Sequence, residues 1–110
     1  MSNWVILFVA GLFEVGFATC MGKARAATGV IAGAWWAGFA ICLALSMYLL
    51  YRATLTIPIG TAYGIWTGIG AVGTVVIGIF IFKEPADFWR LFFISTLIAS
   101  IVGLKVVSNG

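Results

Sequence analysis

Four long apolar stretches, almost free of ionisable residues, alternate with short polar segments along the chain. The first covers residues 4–22, the second 30–51, the third 58–82 and the fourth 88–105. Each is close to the ~20 residues that an apolar helix needs to cross a bilayer. The polar segments hold Lys23 and Arg25, then Arg52, then Lys83, Glu84, Pro85 and Asp87. Pro58 suits a first helical turn, where its missing N–H costs nothing. Pro85 discourages continuation of the third helix. Connections this short force consecutive helices antiparallel and bring both termini to one side. The pattern predicts an all-α membrane protein with four transmembrane helices in a single domain over residues 1–110.

Composition agrees. Of 110 residues, 64% are hydrophobic and 8% charged, against roughly 45–50% and 25% in soluble domains. Histidine is absent, which removes His-based catalysis and most zinc chemistry. The net charge of +3 comes from scattered Lys and Arg, a distribution that argues against a nucleic-acid partner. Met1–Asn3 carries no positive residue, so the first stretch reads as a retained helix rather than a cleaved signal. One face collects Lys23, Arg25, Lys83 and Arg90, the other Arg52 and Lys105. That bias is weak for fixing orientation and permits insertion both ways. Cys20 and Cys42 fall inside spans and read as small packing residues, not as a disulfide or metal site.

Glu14 carries the chemistry. It lies near the middle of its span, where a charged carboxylate costs at least about 2.5–3.5 kcal/mol. It escapes that cost by taking up a proton or by binding a cation, and one carboxylate cannot do both at once. Competition of that kind is the elementary requirement of an antiporter. The helical neighbours of Glu14 are Ala10, Gly11, Phe17 and Ala18, three of them small. In the second span Ala34, Gly38, Cys42 and Ser46 form a small stripe. Ser46 could donate to a carboxylate or back-bond to its own helix. Tyr63 and Trp66 share a face of the third span. Trp66 lies about 12 Å beyond Pro58 at 1.5 Å per residue, deeper than an interfacial belt. Aromatic faces attract cations.

Gly60, Gly64 and Gly68 form a groove suited to helix packing. Gly68–Gly73 matches G-x-G-x-x-G, but inside an apolar helix it lacks the strand–turn–helix setting of a dinucleotide site. Ser95, Ala99 and Gly103 recur every fourth residue and suggest a dimer seam, or close packing within the chain. Glu84 and Asp87, with Arg52, Lys83 and Arg90, read as interfacial anchors rather than paired catalytic acids. No second acid accompanies Glu14 in the spans, which argues against an enzyme. No metal or cofactor site is expected.

One intramembrane carboxylate, four short helices and the stretch Pro58-Ile-Gly-Thr-Ala-Tyr-Gly-Ile-Trp-Thr-Gly-Ile-Gly70 together resemble the small multidrug resistance family over essentially the whole chain. The resemblance implies a proton-coupled antiporter that exports small organic cations across the bacterial inner membrane. It implies an antiparallel, dual-topology homodimer, with Glu14 as shared proton and substrate site. Gly11, Phe17, Ser46, Tyr63, Trp66 and Thr67 would line that site, and Ser46 would hydrogen-bond the carboxylate. The fourth helix, through Ser95, Ala99 and Gly103, would make the main dimer contact. Thr67, the Pro58-Ile-Gly-Thr run and the ending Gly103-Leu104-Lys105 look like the guanidinium-exporter subtype. Two departures are Phe17, where that subtype carries a Trp, and Gly64, where it carries an Ala. Phe17 cannot donate to the carboxylate. Export of lipophilic quaternary ammonium cations is the alternative. A non-transporting tetraspan that assembles with a partner or handles lipid is a remoter one.

Overall fold

The computed structural model describes residues 2–109. Among these, four helices follow in order: α1 (Asn3–Arg25), α2 (Gly29–Thr54), α3 (Ile59–Phe80) and α4 (Phe88–Asn109). All four are long and apolar enough to cross a membrane.

The helix ends have local causes. The Ser2 hydroxyl accepts from the Trp4 N–H at 3.1 Å and caps α1. Lys23 and Arg25 sit in its last turn, where cations suit the helix dipole. These polar residues stay helical, so α1 runs three residues past the expected 22. The first connection turns at Gly29, whose φ of +62° an L side chain rarely adopts. Pro58 stands one residue before α3 and offers its carbonyl to Ala62 N–H at 2.9 Å. At the far end of α3, Lys83 takes a left-handed φ of 59°, and the Glu84 N–H returns to the Gly78 carbonyl at 3.0 Å. That turn ends α3 at Phe80 rather than at 82. Asp87 Oδ1 accepts from Arg90 N–H at 2.9 Å and caps α4. The helix then runs to Asn109, beyond the expected stop at Lys105, because nothing after Lys105 breaks it.

Small residues set the packing register. Along α1 and α2, Cys42 Sγ would stand 3.2 Å from a Cβ on Gly16, and Cys20 Sγ 3.1 Å from one on Gly38. The two helices therefore run antiparallel, each cysteine seated on the other helix's glycine. Along α1 and α3 the partners are Gly11 with Ile69, Glu14 with Gly70 and Val15 with Gly73, and just past α3 Phe82 closes on Gly22. These helices run parallel in close mesh. On the opposite flank of α3, a Cβ at Gly68 would stand 2.7 Å from Ile101 Cδ1, and one at Gly64 3.7 Å from Leu104. The G-x-G-x-x-G run thus holds glycines that receive side chains from two neighbouring helices, which is a packing role.

The helices lie in the order α2, α1, α3, α4, and the backbone of α4 approaches only α3. The result is a slab of 49 × 35 × 19 Å. Its core gathers Ile6, Leu7 and Ala10 with Leu50 and Ala53, then Ile57, Ala62, Ile65 and Trp66. Among the described residues, none of this core comes from α4. Large apolar side chains such as Ile31, Ile41, Phe93 and Val106 are exposed. On a soluble monomer that much exposed apolar surface would be a liability, whereas lipid is a fitting solvent for it.

Candidate functional site

Glu14 stands at the midpoint of α1, half-buried. Its side chain crosses to α3 and lies against the Cα of Gly70, where any Cβ would overlap the carboxyl group. Its Oε1 is buried and accepts no hydrogen bond from the described residues. Such an orphan acceptor in an apolar interior is costly. A proton or a bound cation would relieve it.

One turn nearer the N-terminus, a polar link spans three helices. The Trp66 indole N–H donates to Ser46 Oγ at 2.9 Å, and the Ser46 hydroxyl donates to the Ala10 carbonyl at 2.7 Å. In the α-helical ladder that carbonyl also receives the Glu14 N–H. Ser46 is fully buried and Trp66 is 6% exposed. The link fixes the α1 turn that carries Glu14.

The expected bond from Ser46 to Glu14 is therefore absent. The hydroxyl has one proton, and the Ala10 carbonyl takes it. Trp66 likewise turns its indole edge into the core of its own chain. Tyr63, next to it, is exposed, with its ring 5.3 Å from that of Trp66 and tilted by 59°. Thr67, one turn along, is also exposed. Gly11 is buried against Ile69. Phe17 is half-buried and packs edge-on against Phe39 of α2 at 5.6 Å, while Phe39 meets Trp36 at 5.2 Å. The fold thus brings Ser46, Tyr63 and Trp66 together one turn from Glu14, and sets Phe17 one turn away on the other side.

Ser95, Ala99 and Gly103 all lie exposed on α4, and a Cβ on Gly103 would meet nothing within 4 Å. Packing within the chain does not use this stripe; the side of α4 that meets α3 carries Leu97 and Ile101. Cys20 and Cys42 are free. No group of acidic, Cys or His side chains among the described residues could hold a metal.

Gly70 is the site residue that sequence reasoning missed. Its signal lies in the G-x-G-x-x-G run and in the close of the Pro58–Gly70 stretch.

Four apolar helices with a solitary mid-span carboxylate make this a multi-pass membrane protein. The chain belongs to the small multidrug resistance family, whose description, Small Multidrug Resistance protein, matches residues 2–97. Among its relatives is a guanidinium exporter of Proteus vulgaris, 40% identical over 110 residues, covering 96% of this chain and 99% of the relative. A probable guanidinium efflux system subunit GdnD of Bacillus licheniformis is 41% identical, covering 96% and 99%. A guanidinium exporter of Salmonella typhimurium is 40% identical, covering 97% and 99%.

Proposed function

We propose that this protein is a proton-coupled antiporter that exports guanidinium or substituted guanidinium cations across the bacterial inner membrane. The observation that carries the reading is Glu14: mid-span, with one carboxylate oxygen buried and unpartnered. The relatives named as guanidinium exporters supply the substrate class. A planar guanidinium matches a carboxylate through two parallel N–H···O bonds, and the exposed Tyr63 ring offers a cation a π face. Phe17, Phe39 and Trp36 add an apolar aromatic array on the α1–α2 side, which favours cations bearing apolar substituents.

The working unit is an antiparallel homodimer. A slab 19 Å thick is under two helix diameters and encloses no pathway alone. Two copies bring two Glu14 carboxylates and two Tyr63 rings around one chamber. The exposed small-residue stripe of α4 supplies a seam for close helix contact. Cation entry displaces the protons, the loaded dimer rocks, and protons from outside displace the cation. With chains inserted in opposite senses, the two access states are equivalent, and each subunit takes the other's conformation, a two-chain form of alternating access.

Electrical recording on proteoliposomes perfused in turn with guanidinium, substituted guanidiniums and quaternary ammoniums tests this. Guanidinium-type cations should give proton-coupled currents that Glu14→Gln abolishes. Persisting coupled exchange in the Gln variant would refute the mechanism, and currents confined to quaternary ammoniums would refute the substrate class.

A further inference from the structure

A cleft of about 310 Å³ opens between the loop-side ends of α1 and α3, away from Tyr63 and Trp66. Its walls are apolar, formed by Ala18, Met21 and Val75 with the Phe82 ring. Its rim is cationic. Arg25 and Arg90 both line it, and Lys23 Nζ stands 5.8 Å from the centroid of Phe82. The one acid on the rim, Glu84, is taken by Arg90 Nη2 at 2.7 Å. Arg90 Nε is nonetheless buried without an acceptor among the described residues, and Arg25 has no ion-pair partner among them. The rim lies where α1 and α3 end and α4 begins, which is headgroup depth for helices that span.

Unpaired guanidinium donors above an apolar slot fit one kind of ligand. We propose that this cleft binds an anionic phospholipid, its phosphodiester accepting from the Arg25 guanidinium beside that of Arg90 and one acyl chain lying along Met21, Val75 and Phe82. Guanidinium–phosphate hydrogen bonds are charge-assisted and directional, and basic pockets between membrane helices favour anionic headgroups. A zwitterionic lipid offers the same phosphate but brings a cation of its own, which Lys23 and Arg25 repel. The deep end of the cleft, at Ala18 and Thr74, is one helical turn from Glu14 and Gly70. A seated chain therefore braces the seam that holds the carboxylate.

Native mass spectrometry of the purified full-length protein reads this directly. It would be titrated with palmitoyl-oleoyl phosphatidylglycerol, with phosphatidylcholine of the same chains, and with inorganic phosphate. The phosphatidylglycerol adduct should outlast the phosphatidylcholine one. Arg25→Gln should weaken it about five-fold, the ratio that one basic side chain near an anionic headgroup corresponds to. Lys83→Gln, the same charge change on a residue that does not line the cleft, should leave it intact. Ala18→Leu should weaken it by filling the deep end without touching charge, with helicity checked by circular dichroism. Equal retention of the two lipids, or equal losses for the Arg25 and Lys83 variants, overturns the proposal. Phosphate that displaces phosphatidylglycerol makes the cleft a free-anion site and overturns it too.

Discussion

Ser46→Ala removes one hydroxyl and two buried hydrogen bonds that tie α3 and α2 to α1. The Ala10 carbonyl keeps its helical partner and loses only its second bond. The Trp66 indole N–H loses its acceptor in a site 6% exposed, and an orphaned buried donor costs about 1–3 kcal/mol. Interhelical hydrogen bonds in membranes average about 0.6 kcal/mol in double-mutant cycles, which places the expected loss in the lower half of that range. A loss of 1–3 kcal/mol is roughly a five- to 150-fold shift in the unfolding equilibrium. Reversible unfolding in mixed micelles, followed by far-ultraviolet circular dichroism, measures it. The cycle with Trp66→Phe isolates the bond. Phe brings no donor, so Ser46→Ala should cost less in that background than in the native one. Strict additivity of the two substitutions would refute the claim that this link holds the turn of Glu14.

Gly70→Ala drives a methyl into the Glu14 carboxyl and should abolish coupled transport in proteoliposomes. Gly33→Ala meets open space and should leave transport intact while stabilising α2 by about 0.5–1 kcal/mol. Gly103→Leu, on the exposed stripe of α4, should weaken cross-linking of the proposed dimer and leave the helical content unchanged. Asp87→Ala removes the cap of α4 and should destabilise it by about 0.5–2 kcal/mol, read as faster hydrogen exchange in its first turn.

The four helices were legible because lipid demands long apolar runs and charges at their ends, and both are visible in one dimension. Their limits were less so. Lys23 and Arg25 continue α1 because the dipole favours them there, and α3 stops early because Lys83 adopts a left-handed turn. Glu14 stood out as a lone acid in an apolar run. Its surroundings did not, since helical spacing gives the neighbours on one helix but not the register against the next. That is why spacing leaves Ser46 open between a carboxylate and a backbone carbonyl, and the structure shows its hydroxyl spent one turn away on Ala10. It is also why the third-helix glycines do not reveal their partners from spacing. They serve two flanks, Gly64 and Gly68 meeting α4 while Gly70 and Gly73 meet α1.

The backbone of α4 approaches only that of α3, and this separates two kinds of selection. Substitutions on α1, α2 or α3 disturb a shared interior, so those helices evolve together. The outward side of α4 answers only to whatever molecule it meets. In the proposed dimer, a duplicated gene would therefore change its choice of mate through a few changes on that side, leaving the carboxylate and its supports as they were.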